Sequence, residues 1–226
     1  ILELLDKKFD KEVALNRKFC NFVFSNAGNA HPIRNKFFHE LSKYKRVDAG
    51  GRALNNIGGS VEDKMKFIAD YKFTIAIENS SVNGYVTEKI VEPMSVNSIP
   101  IYWGSETVER DFNLKSFVRL ENDSDEAIKK AIDEIIHLDS NDDAYIEKLS
   151  EPWLSEEQYV KFDQELLKLF TYIIEQPLET ARRRAINGFN MRNVERYEKM
   201  INCVQKQYDH IGAKEALKII KRRIFK

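Results

Sequence analysis

Between Tyr71 and Gly104 the chain reads YKFTIAIENSSVNGYVTEKIVEPMSVNSIPIYWG, an order that leaves few folds open. Phe73 to Ile77 and Ile99 to Trp103 are short apolar runs, each bounded by turn-forming residues, and predict two buried strands. The polar residues Glu78 to Gly84 cannot continue the first strand. Thr87 can cap a helix, and Glu88 to Glu92 favour one. Strand, loop, helix and strand make a βαβ unit. In such units the carboxyl end of the first strand and the start of the helix form the ligand crevice, a place held here by Glu78, Asn79, Tyr85, Glu88 and Lys89.

The flanking sequence repeats the alternation. Phe19 to Phe24 predicts a first core strand, followed by the turn-rich Ser25 to Asn29 and by Pro32, which a first helical turn tolerates. The helix expected over 33–44 turns Phe37, Phe38 and Leu41 inward and carries Arg34 near its N-terminus. A cation there opposes the helix dipole, which points to a bound anion; a surface ion pair is the bland alternative. Val47 and Asp48 read as a brief strand before Gly50 and Gly51, which suit either a plain turn or a ligand loop. A helix is expected from Ser60 to Asp70, a short polar one near 106–110, a last strand over 117–120, and a helix from the Asp123–Ser124 cap to Leu138. Strands alternating with helices imply a parallel, doubly wound sheet.

Outside this region, Leu4, Leu5, Phe9 and Val13 space as one face of an amphipathic helix over 1–15. Pro152 interrupts the chain, a helix is expected over 156–175, and the sequence from Leu178 onward reads as helical and increasingly basic. Lys+Arg and Asp+Glu count 36 each, so no net field favours nucleic acid. Cys20 and Cys203 make no disulfide framework; both are expected as reduced, partly buried thiols of a cytoplasmic protein.

The blocks CNFVFSN, YKRVDAGG, IENS, GYVTEK and IPIYWG stand in the order and spacing of the α1,3/α1,4-fucosyltransferases, which include the Lewis-antigen-forming enzymes. Over about Lys18 to Phe117 this chain closely resembles that family, whose enzymes are two-domain GT-B glycosyltransferases. The resemblance implies an α/β fold: a Rossmann-like parallel sheet with helices on both faces, one half of a GT-B fold, followed by C-terminal helices. It divides the chain into a lead-in helix from an acceptor domain (1–17), a GDP-fucose-binding domain (18–150) and a C-terminal helical extension (151–226).

It also implies the activity: an inverting fucosyltransferase moving fucose from GDP-fucose to a GlcNAc or Glc hydroxyl, the 3-OH above all, of a glycan acceptor. Arg34 and Lys89 match the family's diphosphate-binding positions, and Glu88, Asn79 and Tyr85 match further donor-site positions. The chemistry agrees, since a guanidinium fork and an ammonium are the two usual phosphate ligands and a carboxylate accepts from sugar hydroxyls. The bland alternatives are an exposed lysine for Lys89, no contact for Glu88, and a self-capped loop for Asn79 and Tyr85. No cofactor and no metal are expected for donor binding: His31, His39, His137 and His210 share no ligand spacing, and no paired-aspartate motif stands near a strand end. The general base is expected in the acceptor domain, so no catalytic residue is assigned here. A non-catalytic nucleotide-sugar binding module and a transferase for another GDP-sugar are the alternatives. The basic tail, Lys214 to Lys226, suits either a membrane surface or a helix packed back on the protein.

Overall fold

The computed structural model describes residues 2–25, 30–177 and 196–203. Five strands form one parallel sheet: β1 (Lys18–Phe22), β2 (Val47–Ala49), β3 (Tyr71–Ile77), β4 (Ile99–Trp103) and β5 (Val118–Arg119), in the order β2-β1-β3-β4-β5. Every residue of β3 and β4 is buried, as continuous apolar strands require when helices cover both faces. Phe73 faces Cys20 on one side and Ile99 on the other, and Ile101 faces Val118. A buried polar line crosses the sheet: the Asn21 amide donates to Thr74 Oγ1 at 2.8 Å, which shares a hydrogen bond with Ser98 Oγ at 2.8 Å. The chain runs outward to β2 and then crosses back to β3. The carboxyl ends of β1 and β3 therefore flank the switch point at which such sheets bind ligands.

The helices are α1 (Leu2–Leu5), α2 (Lys11–Leu15), α3 (Ile33–Ser42), α4 (Lys64–Ala69), α5 (Glu88–Ser95), α6 (Asp125–Ser140), α7 (Asp142–Ser150) and α8 (Glu156–Glu175). α4 packs with α5, and α3 with α6. Several expectations need correction. The single helix over 1–15 is two short ones, because the Asp10 carboxylate accepts from Val13 N and starts a new helix; Leu4 is buried, while Val13 is 59% exposed. The helix expected from Ser60 begins at Lys64, since Asp63 is the residue that accepts from Met65 N and Lys66 N. Near 106–110 only one 3₁₀ turn forms, Val108–Arg110. α7 was not expected: Asn141 both ends α6 and accepts from Ala144 N, and the hydrophobic pattern runs through that one-residue joint unbroken. Its Tyr145 and Leu149 join the core. Cys20 is buried, which pushes its thiol pKa up, but Cys203 is exposed rather than partly buried.

Ser124 caps α6, its Oγ accepting from Ala127 N at 3.1 Å. Ser124→Ala is expected to destabilise by about 1 kcal/mol. A thermal melt would then shift down by roughly 2–4 °C.

The chain divides into two compact units, Ile1–Leu167 and Lys168–Lys226. The first contains the whole sheet. In the second, the helix over 196–203 exposes Tyr197, Met200 and Ile201. Arg182 to Arg184 and the basic tail lie outside the described residues. Among the described residues, no helix is long and apolar enough to cross a membrane.

Candidate functional site

Where β3 ends, the backbone N–H of Glu78 donates to Trp103 O at 2.8 Å, so the two strands stay paired to the edge of the crevice. The Glu78 side chain turns inward and is fully buried. A buried carboxylate is costly unless its oxygens are filled, and here they are. Thr87 N donates to Oε1 at 2.9 Å, the Thr87 hydroxyl donates to the same oxygen at 2.8 Å, and Lys89 Nζ lies 3.0 Å from Oε2. Thr87 is at the same time the N-cap of α5, accepting from Lys89 N. One carboxylate thus ties the end of β3 to the first turn of α5. Gly104 makes this possible, since a Cβ there would lie 2.5 Å from Glu78 Cγ.

Arg34 comes to the same place from α3. It is only 2% exposed, and its Nε donates to Ile77 O at 2.9 Å while Nη2 donates to the same carbonyl. Among the described residues it makes no surface ion pair. Of the five guanidinium N–H groups this leaves three for another acceptor. Burial lowers the Arg34 pKa from its ordinary value, opposed by the nearby Glu78 and Tyr85. Its guanidinium carbon sits 5.3 Å from the Phe24 ring. Arg34 and Lys89 both line a small cavity of about 30 Å³ at the ends of β1 and β3, along with Phe24, Ile77, Lys64 and Glu92. That is room for one water-sized group, such as a single phosphate oxygen.

The remaining expected residues surround this centre. The Asn79 carbonyl accepts from His31 N at 2.9 Å, holding the loop to the start of α3, and the His31 ring packs on Trp103 at 4.7 Å. The Asn79 side-chain amide and the Tyr85 hydroxyl bond to no described residue, and Tyr85 is 37% exposed. Glu88 is not brought into the small cavity. It borders a larger groove of about 410 Å³ with Thr87, Val91, Arg110, Phe112 and Phe162, and touches Lys89 Nζ at 3.4 Å. Partial burial works to raise its pKa, but its own backbone N–H and Lys89 outweigh that and hold it below the usual carboxylate range.

Two neighbours of this centre were not among the donor-site residues read from sequence. Glu78 was placed in the crevice by position alone, as a carboxylate directly after the buried strand β3. Lys64, which reaches the cavity paired with Glu92, carried no signal at all. Gly51 is explained by contact: a Cβ there would fall 1.8 Å from Phe24 O, so the turn needs glycine because two backbones touch. Among the described residues, no three His, Cys, Asp or Glu side chains converge as metal ligands would.

Residues 13–172 match the family model for glycosyltransferase family 10 (fucosyltransferase), C-terminal part. An alpha-(1,3)-fucosyltransferase of Helicobacter pylori is 42% identical over 142 residues, covering 63% of this chain and 29% of its own length. A crystal structure of an alpha1,3-fucosyltransferase with GDP-fucose aligns with a TM-score of 0.63 at 37% identity, covering 72% of this chain and 49% of that one. Another with GDP aligns at 0.65 and 36%, covering 75% and 51%. The chain therefore spans less than a third of the Helicobacter protein and about half of the solved chains.

Proposed function

This chain belongs to glycosyltransferase family 10, the fucosyltransferases, and from that premise we propose that it supplies the GDP-fucose-binding half of an inverting α1,3-fucosyltransferase. The observation that carries the proposal is that two cations, the buried Arg34 and the partly buried Lys89, line one cavity at the switch point of the sheet. In the reaction, the bond from the sugar's anomeric carbon to the diphosphate breaks and its electron pair stays on the phosphate oxygen. An acceptor hydroxyl, the 3-OH of GlcNAc or Glc, forms the new bond on the opposite face. Negative charge grows on the leaving diphosphate, and cations already in place there lower the barrier without rearranging.

Each remaining residue has a part. Arg34 keeps three N–H groups for phosphate oxygens, and Lys89 adds a point charge. Asn79 and Tyr85 offer an amide and a hydroxyl with no partner among the described residues. Glu88, at the mouth of the larger groove, accepts from sugar hydroxyls. The base that takes the acceptor's proton lies outside this chain. Glu78 is unsuited to that task, being fully buried with its oxygens occupied by Thr87 and Lys89. Donor binding uses these fixed cations and no metal ion. The proposed place of action is the cytoplasm, with the basic tail suited either to a membrane surface or to packing back on the protein.

Calorimetric titration with GDP-fucose, GDP-mannose and GDP, in EDTA and again with Mg²⁺ or Mn²⁺, tests this. GDP and GDP-fucose are expected to bind alike in both buffers. Lys89→Ala is expected to weaken both about tenfold, the scale of one charge-assisted hydrogen bond. Tighter binding of GDP-mannose would favour a transferase for another GDP-sugar. Failure of all three nucleotides to bind, here and in a longer form of the protein, would overturn the assignment.

A further inference from the structure

We propose that Glu78 is a positioning residue of the donor site: its buried carboxylate aims the Lys89 ammonium so that one N–H remains for a donor phosphate. This rests on the donor-site reading above. An ammonium has three N–H groups. Those of Lys89 meet three acceptors: Glu78 Oε2 at 3.0 Å, Thr87 Oγ1 at 3.0 Å and Glu88 Oε1 at 3.4 Å. The three are unequal. The Glu78 side chain is completely buried, whereas that of Glu88 is 60% exposed and makes the longest contact.

An exposed ion pair of this kind is weak and easily exchanged for another anion. A buried one is not, because parting it leaves a carboxylate without water or partner. An arriving phosphate therefore displaces Glu88 and leaves Glu78 where it is. Lys89 swings on a four-carbon stem with several free torsions, and the Glu78 and Thr87 contacts are what hold it in one place. The local architecture serves that contact: Thr87 donates twice to the carboxylate, and Gly104 lacks the Cβ that would strike it.

A second effect runs the other way, which makes the sign decisive. Removing a negative charge beside an anion site favours the anion by simple Coulomb attraction. If Glu78 were only a counter-charge, Glu78→Gln would tighten GDP binding. If it positions Lys89, the neutral amide keeps the shape but holds the ammonium less tightly than the carboxylate does, and binding weakens.

The test is calorimetric titration of the 226-residue chain with GDP, for wild type, Glu78→Gln, Lys89→Ala and the double variant. The expected result is about tenfold weaker binding for Glu78→Gln, a similar loss for Lys89→Ala, and no further loss when the two are combined, as residues acting through one another give. Binding by Glu78→Gln within twofold of wild type or tighter, or effects that multiply in the double variant, would each overturn the proposal. Should Glu78→Gln fail to fold by circular dichroism, Glu78→Asp, which withdraws the charge by one methylene, is judged by the same two outcomes. If Lys89→Ala binds GDP normally, the donor-site reading itself fails; if only Glu78→Gln does, that reading stands and this proposal alone falls.

Discussion

Arg34→Ala is expected to weaken GDP-fucose binding by about a hundredfold and to lower the melting temperature by roughly 6–12 °C. Both follow from where the side chain lies. Its Nε and Nη2 both donate to Ile77 O, and at 2% exposure no water replaces them when they are removed. Hydrogen bonds from a charged group are each worth about 1.5–3 kcal/mol, and the apolar stem leaves a void beside Phe24, so a loss of about 3 kcal/mol is reasonable. For a chain of this size each kcal/mol moves the melting point about 2–4 °C.

The binding loss comes from the three N–H groups left over, which no neighbour can supply. Arg34→Lys separates the two effects. A lysine keeps the charge but has no planar fork, so it cannot hold Ile77 O by two donors and still present a pair to phosphate. It is expected to regain part of the stability and little of the affinity. Calorimetry and thermal denaturation of both variants read this directly. An Arg34→Ala protein that binds normally would remove Arg34 from the donor site and leave it a purely structural tie.

Gly51→Ala is expected to cost about 4 kcal/mol or to prevent folding, at the severe end of single substitutions. An added Cβ would lie 1.8 Å from Phe24 O, 2.4 Å from its carbonyl carbon and 2.6 Å from its nitrogen. Those atoms are backbone and cannot rotate aside. They also sit where the chain past β1 bonds to the chain past β2: Gly50 N donates to Phe22 O at 3.1 Å and Ala53 N to Phe24 O at 3.3 Å. Pushing Phe24 away also moves the ring beneath Arg34, so any protein that still folds should bind GDP-fucose poorly. Gly59→Ala is the comparison, since nothing lies within 4 Å of its added methyl; it should change stability by less than about 0.5 kcal/mol. Urea unfolding of the pair decides it. Equal midpoints would show that the crossing of the chain past β2 over the chain past β1 yields far more readily than its contacts imply.

Much of the scaffold was legible in advance because its signals are short in range. β3 and β4 announce themselves as largely apolar runs, which strands covered on both faces need. The Thr87 and Ser124 caps depend on a side chain reaching a backbone N–H two or three residues away, a geometry set within one turn. Where two such signals overlapped, legibility ended: Asn141 stops one helix and starts the next, and Asp10 breaks a pattern that hydrophobic spacing alone would carry on.

The same division runs through the site. The residues Arg34, Asn79, Tyr85, Glu88 and Lys89 could be named from sequence because their types suit a sugar diphosphate and their motifs resemble a known family. Which of them meet was decided by tertiary structure. Arg34 lies 43 positions from Ile77 along the chain, and only the crossing of the sheet brings its guanidinium to that carbonyl. Glu88 and Lys89 are neighbours in sequence and their side chains touch at 3.4 Å, yet they border different cavities. Glu78 is the sharpest case. Its sequence context is that of any polar residue after a strand. Its role depends on a buried electrostatic balance among β3, α5 and Gly104, and charges find their partners through space, where the chain's own order carries no record of them.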